Sequence, residues 1–145
     1  MSRSFSVMCG IIGYVGQADA TPILLDGLRR LEYRGYDSAG VALIADGSLE
    51  VRKCAGRIAS LTQLIQDRPI HGTVGLGHTR WATHGGVTDA NAHPHLDQSG
   101  KLALIHNGVI ENFQQLRDQL LGQGHVFRTE TDTEVLTHLI GSIFD

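Results

Sequence analysis

Cys9 stands directly after Met8, at the head of the run Met8-Cys9-Gly10-Ile11-Ile12-Gly13. In a chain beginning at Cys9, that residue carries a free α-amine beside its thiol. An α-amine with a reference pKa of about 7.7–8.0 can accept the proton of a thiol near 8.5, so nucleophile and base would share one residue. The plainer reading of a single cysteine in an apolar run is a small buried hydrophobe.

Three further groupings carry chemistry. In His78-Thr79-Arg80-Trp81-Ala82-Thr83-His84-Gly85, the Arg80 guanidinium can grip a carboxylate through two parallel hydrogen bonds. Without its neighbours it would read as a surface arginine. Trp81, the only tryptophan, suits either the core or a shield over a site. In His106-Asn107-Gly108, a side-chain amide and a glycine N–H can serve a developing oxyanion, although Asn-Gly is also an ordinary turn. In Glu130-Thr131-Asp132-Thr133, Asp132 at a helix start is held ionised and suits an ammonium group, or is simply a cap.

Arg80 and Asp132 together describe a pocket for a free α-amino acid. A thiol and an oxyanion pair add acyl transfer from that amino acid's side chain, and glutamine has such an acyl group. A competing set is His84, His93, His95 and His106 with Asp89 and Asp97, as ligands for a divalent metal. Its spacing matches no compact zinc pattern, and Pro94 reads as a loop-shaping residue.

The elements that must position these groups follow from periodicity. Residues 10–15 read as a buried strand. Thr21 caps a helix with Pro22 at its first position, a stripe of Ile23, Leu24, Leu28 and Leu31, and a stop at Gly35. Residues 39–45 and 49–55 flank Asp46-Gly47 as a hairpin. A helix is expected over 57–67, stopped by Pro69, and a strand over 73–79. The aperiodic stretch 82–98 is long enough to be a functional loop. A strand over 101–106 leads into Asn107. Asn112 with Gln115 forms a capping box for a helix, a short strand lies near Val126-Phe127, and Thr131 to Glu134 forms a second capping box. Interleaved hairpins and helices make the fold α+β.

With 145 residues, 41% apolar and 19% charged, the composition is that of one globular domain. A net charge of −3 with scattered Lys and Arg gives no case for nucleic acid or a membrane surface. Cys9 and Cys54 form no CxxC pair, and a reducing cytoplasm is expected.

Taken together, several stretches resemble one family. They are Met8-Cys9-Gly10-Ile11, Leu31-Glu32-Tyr33-Arg34-Gly35-Tyr36-Asp37-Ser38-Ala39-Gly40, residues 78–85 and Asn91-Ala92-His93-Pro94-His95. His106-Asn107-Gly108-Val109-Ile110-Glu111-Asn112 and Glu130-Thr131-Asp132-Thr133-Glu134-Val135 complete the set. The chain is similar, over residues 8 to about 140, to the class II glutamine amidotransferase (glutaminase) domain of glucosamine-6-phosphate synthases, the isomerizing glutamine–fructose-6-phosphate aminotransferases. The Tyr-Arg-Gly-Tyr-Asp-Ser-Ala-Gly and Arg-Trp-Ala-Thr-His-Gly runs favour these over purine-pathway amidotransferases and asparagine synthetases.

The resemblance implies an N-terminal-nucleophile hydrolase fold, a four-layer αββα sandwich, with no cofactor. It implies Cys9 as nucleophile with its α-amine as base, and Asn107 and Gly108 as oxyanion hole. Arg80 would hold the glutamine carboxylate and Asp132 its amine. Thr83 and His84 would lie in a loop closing over glutamine, Trp81 would gate ammonia, and Arg34 and Tyr36 would buttress the site. The ammonia would pass to fructose 6-phosphate in an isomerase half, within homo-oligomers.

Two departures set expectations. Residues 1–8 precede the cysteine, as a leader or because Met8 is the true start; while they remain, the base is missing. Residues 9–145 are shorter than the family's domain and the isomerase half is absent, so the sandwich is expected to be incomplete and weakly stable. An inert, leader-blocked glutamine-binding module is the alternative reading.

Overall fold

The computed structural model describes residues 8–34, 36–82 and 85–144. Its frame is an antiparallel sheet of β1 (Gly10–Val15), β2 (Ser38–Ala45), β3 (Ser48–Ala55) and β4 (Val74–Arg80), in the order β1-β4-β2-β3. Register places Gly10 opposite Thr79, and Ser38 opposite Arg80. The start of β1, the end of β4 and the start of β2 therefore share one edge of the sheet. Cys9, Arg80 and Asp37 lie along it.

One face of the sheet carries α1 (Ala20–Leu31) and α2 (Ile58–Asp67). Leu24, Leu28, Val41, Leu43, Ile58 and Leu61 are fully or almost fully buried there. Each such leucine is worth about 2–5 kcal/mol against truncation to alanine. The glycines of β4 let α1 sit close. A Cβ at Gly75 would stand 3.0 Å from Leu24 Cδ1, and one at Gly77 3.1 Å from Leu28 Cδ1. The same glycines make residues 73–79 a poor strand by propensity. Packing against α1 and pairing on both sides decide the matter.

The other face meets a second, two-stranded sheet, β5 (His95–Leu96) with β6 (Ala103–Leu104). Beyond it lie α3 (Phe113–Gly122) and α4 (Asp132–Phe144). The layers thus run helix, sheet, sheet, helix.

Several expectations need correction. β1 is half-buried rather than buried: Ile11 and Val15 point outward, 46% and 81% exposed. The cap of α1 is Asp19, not Thr21. Asp19 Oδ1 accepts from Thr21 N at 3.1 Å, while the Thr21 hydroxyl donates to Ile70 O at 2.6 Å and ties the helix to the chain after α2. Pro22 sits at the third helical position, still within the first turn where no N–H is needed. A 3₁₀ turn, Glu32–Arg34, extends that helix; the stop expected at Gly35 lies outside the described residues.

The hairpin turn is as read, with Asp46 and Gly47 both at positive φ (50° and 77°). The strand over 101–106 shrinks to Ala103–Leu104, because the Asp97 carboxylate takes the N–H groups of Lys101 and Leu102 at 3.1 and 2.9 Å. No strand forms at Val126-Phe127. Val126 N donates instead to Gln98 Oε1 at 2.9 Å, and Phe127 packs between Arg117 and His138. Asn112 precedes α3 without a side-chain cap bond. At α4 half a capping box forms: Thr131 Oγ1 accepts from Glu134 N at 3.3 Å, whereas the Glu134 carboxylate reaches further back, to Arg128 N and Thr129 N.

Candidate active site

The shared edge of the four-stranded sheet opens into a cavity of about 300 Å³ whose walls include Cys9, Arg80, Trp81, Asn107, Gly108 and Asp132. Residues 98 positions apart in sequence meet here: Asn107 Nδ2 donates to Cys9 O at 3.1 Å.

Cys9 is placed by β1. Gly10 N donates to the buried Thr79 hydroxyl at 3.0 Å, which anchors the strand one residue beyond the thiol. The sulfur itself lies against the next segment, accepting from Trp81 N at 3.1 Å and facing Trp81 O at 3.5 Å. That segment is held by Asp37, whose side chain accepts from Ala82 N and whose backbone N donates to Arg80 O at 2.8 Å.

Arg80 closes β4 and is almost completely buried, with Nη1 donating to Gly86 O at 3.1 Å. Gly86 in turn is fixed by Asn91 and Glu130: Asn91 Nδ2 donates to Gly86 O at 3.0 Å, and Glu130 Oε2 accepts from Gly86 N at 3.2 Å. Hydrogen bonds from Asn91 and Gly86 hold the Glu130 carboxyl below its ordinary pKa. Asp132 begins α4 and is 4% exposed. Its Oδ2 accepts from Ile110 N at 2.8 Å, so one carboxylate joins the helix to the Asn107–Ile110 loop. A buried guanidinium and a buried carboxylate in the wall of one cavity suit the two charges of an amino acid zwitterion.

Asn107 is oriented from behind: its Oδ1 lies 2.7 Å from His78 Nε2. Gly108 has φ +145°, a conformation that L side chains rarely adopt. Trp81 is 45% exposed at the rim. Arg34 lies outside the cavity wall, and its carbonyl accepts from Met8 N at 2.6 Å while Nη2 reaches Met8 Sδ at 3.8 Å. It therefore holds the segment preceding Cys9. Tyr36 also lies outside the wall; Arg57 stacks over its ring at 4.7 Å and donates to its hydroxyl at 2.7 Å. Thr83 and His84 lie outside the described residues.

Sequence reasoning gave His78 no role and read His93 and His95 only as possible metal ligands, whereas the structure packs the three beside the cavity with His93 in its wall. His78 and His93 stack with ring centroids 4.2 Å apart, and His93 meets His95 edge-on at 4.6 Å. His95 Nε2 reaches Thr131 Oγ1 at 3.1 Å. Of the candidate ligands, His93 and His95 pack on one another, His84 lies outside the described residues, and among the described residues no three His, Cys, Asp or Glu side chains converge as a metal site. Burial pushes His78 down to about 4, helped by the nearby Arg80 charge. Burial likewise drives His93 and His95 well below the ordinary histidine value, with neighbouring cationic groups adding to it.

An acid sensitivity follows. Near pH 6.5 the unfolded chain begins to protonate these histidines while the folded chain does not, so the unfolded state binds more protons and stability falls as pH drops. Each histidine contributes a slope of up to ~1.4 kcal/mol per pH unit below about 6.5. The urea midpoint should be level above pH 7 and fall steeply between pH 6 and 4.5. An unchanged midpoint over that interval would show that the three rings take up protons in place.

Comparison with known proteins gives the class first. A family model described as a glutamine amidotransferase domain matches residues 66–143, and the chain belongs to that family. Solved structures agree. Glutamine phosphoribosylpyrophosphate amidotransferase from B. subtilis, complexed with ADP and GMP, superposes with a TM-score of 0.74 at 36% identity, over 90% of this chain and 29% of that one. The structure of the allosteric regulatory enzyme of purine biosynthesis gives 0.78 at 37%, with the same coverage. The fold is that of the N-terminal-nucleophile amidotransferases.

Sequence similarity is higher to a particular group, the isomerizing glutamine–fructose-6-phosphate aminotransferases. The relative from Symbiobacterium thermophilum is 59% identical over 138 residues, covering 95% of this chain and 23% of the relative. That from Leifsonia xyli subsp. xyli is 61% identical over 136 residues, covering 92% and 22%. The chain spans less than a quarter of the length of these relatives. Among the described residues no helix is long and apolar enough to cross a membrane.

Proposed function

We propose that this domain hydrolyses L-glutamine to glutamate and ammonia at the cavity described, with Cys9 as nucleophile. Support comes from one observation above all: Cys9, Asn107, Arg80 and Asp132 line a single cavity of about 300 Å³. The glutamine α-carboxylate sits on Arg80 and the α-ammonium on Asp132, which leaves the side-chain amide directed at the thiol. With residues 1–8 removed, the free α-amine of Cys9 takes the thiol proton as sulfur attacks the amide carbon. The carbonyl oxygen, now negative, is held by Asn107 Nδ2–H and Gly108 N–H. Collapse expels ammonia, which leaves with the proton returned by the amine, and a γ-glutamyl thioester stays on Cys9. Water, deprotonated by the same amine, releases glutamate and regenerates the thiol.

We further propose that the ammonia is destined for fructose 6-phosphate, bound elsewhere in a longer protein, with Trp81 at the exit. The names of the relatives support that acceptor, as does the higher identity to them than to the purine enzymes. A homo-oligomer in a reducing cytoplasm, where a free thiol persists, completes the reading.

Asp132→Asn tests the substrate assignment. Asparagine keeps an oxygen for Ile110 N and removes only the charge. Losing one partner of a buried, hydrogen-bonded charge pair costs about 2–5 kcal/mol. The KM for glutamine should therefore rise by at least ~30-fold, with kcat changed far less. A KM within threefold of the parent, measured by glutamate release, would remove Asp132 from the ammonium site.

A further inference from the structure

His78 is fully buried on β4 and does not line the cavity. Its Nε2 nevertheless lies 2.7 Å from Asn107 Oδ1, and Asn107 Nδ2 lies 3.1 Å from Cys9 O. An asparagine amide has a donating and an accepting side, and only one orientation lets it serve an oxyanion. If it were turned over, its oxygen would face the Cys9 carbonyl oxygen, acceptor against acceptor. In the orientation that Cys9 O fixes, the oxygen of the amide faces His78. Asn107 Oδ1 can only accept, so Nε2 must carry the proton. The neutral ring has one N–H, and the Nδ1–H tautomer would set two lone pairs against each other at that distance. Cys9 O therefore selects the amide orientation, and the Nε2–H tautomer of His78 is the one that holds it.

The ring is not free to rotate away from this duty. It stacks on His93 at 4.2 Å with planes 15° apart, His93 abuts His95, and His95 reaches Thr131, which precedes Asp132. The histidines thus form a buried strut between the Asn107 wall and the Asp132 wall.

We propose that His78 is a positioning residue for the oxyanion site: its neutral ring donates Nε2–H to Asn107 Oδ1 and so directs the Asn107 N–H at the reacting carbonyl. The proposal rests on the reading of Asn107 as an oxyanion donor. Loss of an oxyanion donor outright costs about 10²–10³ in kcat, and misorienting it should cost part of that.

The test compares His78→Leu, His78→Gln, Asn107→Ala and the double variant His78→Leu/Asn107→Ala in the full chain beginning at Cys9. His78→Leu should lower kcat by roughly 10- to 100-fold, with KM for glutamine within threefold. His78→Gln, which restores an N–H donor, should recover most of the loss. Adding His78→Leu to Asn107→Ala should cost nothing further, because both act through one amide. A full multiplicative loss in the double variant, or an effect of His78→Leu on KM alone, overturns the positioning role while leaving Asn107 as donor. Parental kcat in Asn107→Ala overturns the oxyanion reading itself. Should His78→Leu fail to fold, the ¹⁵N spectrum of the histidine rings in the parent decides. A neutral Nε2–H ring for His78 at pH 7 is expected, and an Nδ1–H ring or an imidazolium refutes the proposal.

Discussion

Cys9→Ala should abolish glutamine hydrolysis, by on the order of 10⁴-fold or more in kcat/KM. The loss is large because the sulfur is the atom that bonds the substrate, and among the described residues no other cysteine lines the cavity. The fold should tolerate the change. Cys9 is only partly buried, and β1 is secured by Gly10 N on Thr79 and by its pairing with β4. Cys54 makes the internal control. It lies on β3, packed against the hydrophobic core, and burial, with the Asp89 charge adding to it, pushes its thiol up. Cys54→Ala should leave kcat/KM within twofold. Glutamate release at parental rate from Cys9→Ala would end the thiol mechanism.

Residues 1–8 should be nearly as consequential. In the 145-residue chain the nitrogen of Cys9 is tied in a peptide bond to Met8, so it has no lone pair to take the thiol proton. Met8 also lines the cavity, anchored by its own N–H to Arg34 O at 2.6 Å and by Arg34 Nη2 near its sulfur. A general base is worth about 10²–10⁴-fold. A chain made to start at Met8, so that removal of the initiator exposes Cys9, should turn over glutamine faster than the 145-residue chain by that factor. Equal rates from the two chains would mean that the α-amine is not the base. In the longer chain, Arg34→Ala should not restore activity, since loosening Met8 does not create an amine.

Much of this arrangement was legible in the residues because the groups that do chemistry are few and sit at ends of elements. Cys9, Arg80, Asn107, Gly108 and Asp132 each announced a possible role; antiparallel register brings together Cys9 and Arg80 at the ends of β1 and β4, while Asn107 and Asp132 join them through side-chain bonds to Cys9 O and Ile110 N. The hairpin at Asp46-Gly47 was equally plain, since two successive positive φ values demand that dipeptide. Other features depended on distant partners. The cap of α1 moved to Asp19 because Thr21 was needed by Ile70 O, 49 residues away. The strand at Lys101–His106 gave way because Asp97 offered its N–H groups a carboxylate. His78 carried no local signal at all. A histidine inside a strand acquires its meaning only from Asn107, 29 residues on, and from the His93 ring beneath it. Asp37 was equally silent, because its value lies in gripping the backbone around Trp81.

The central claim is that glutamine is attacked by the sulfur of Cys9. The most direct measurement is an acid quench of the chain beginning at Cys9 during turnover of saturating glutamine, followed by digestion and mass mapping of both cysteine peptides. The account predicts a γ-glutamyl adduct on the peptide that starts at Cys9, discharged by hydroxylamine as a thioester must be, with Cys54 unmodified. Steady glutamate release with Cys9 bare, or an adduct on Cys54, would contradict it.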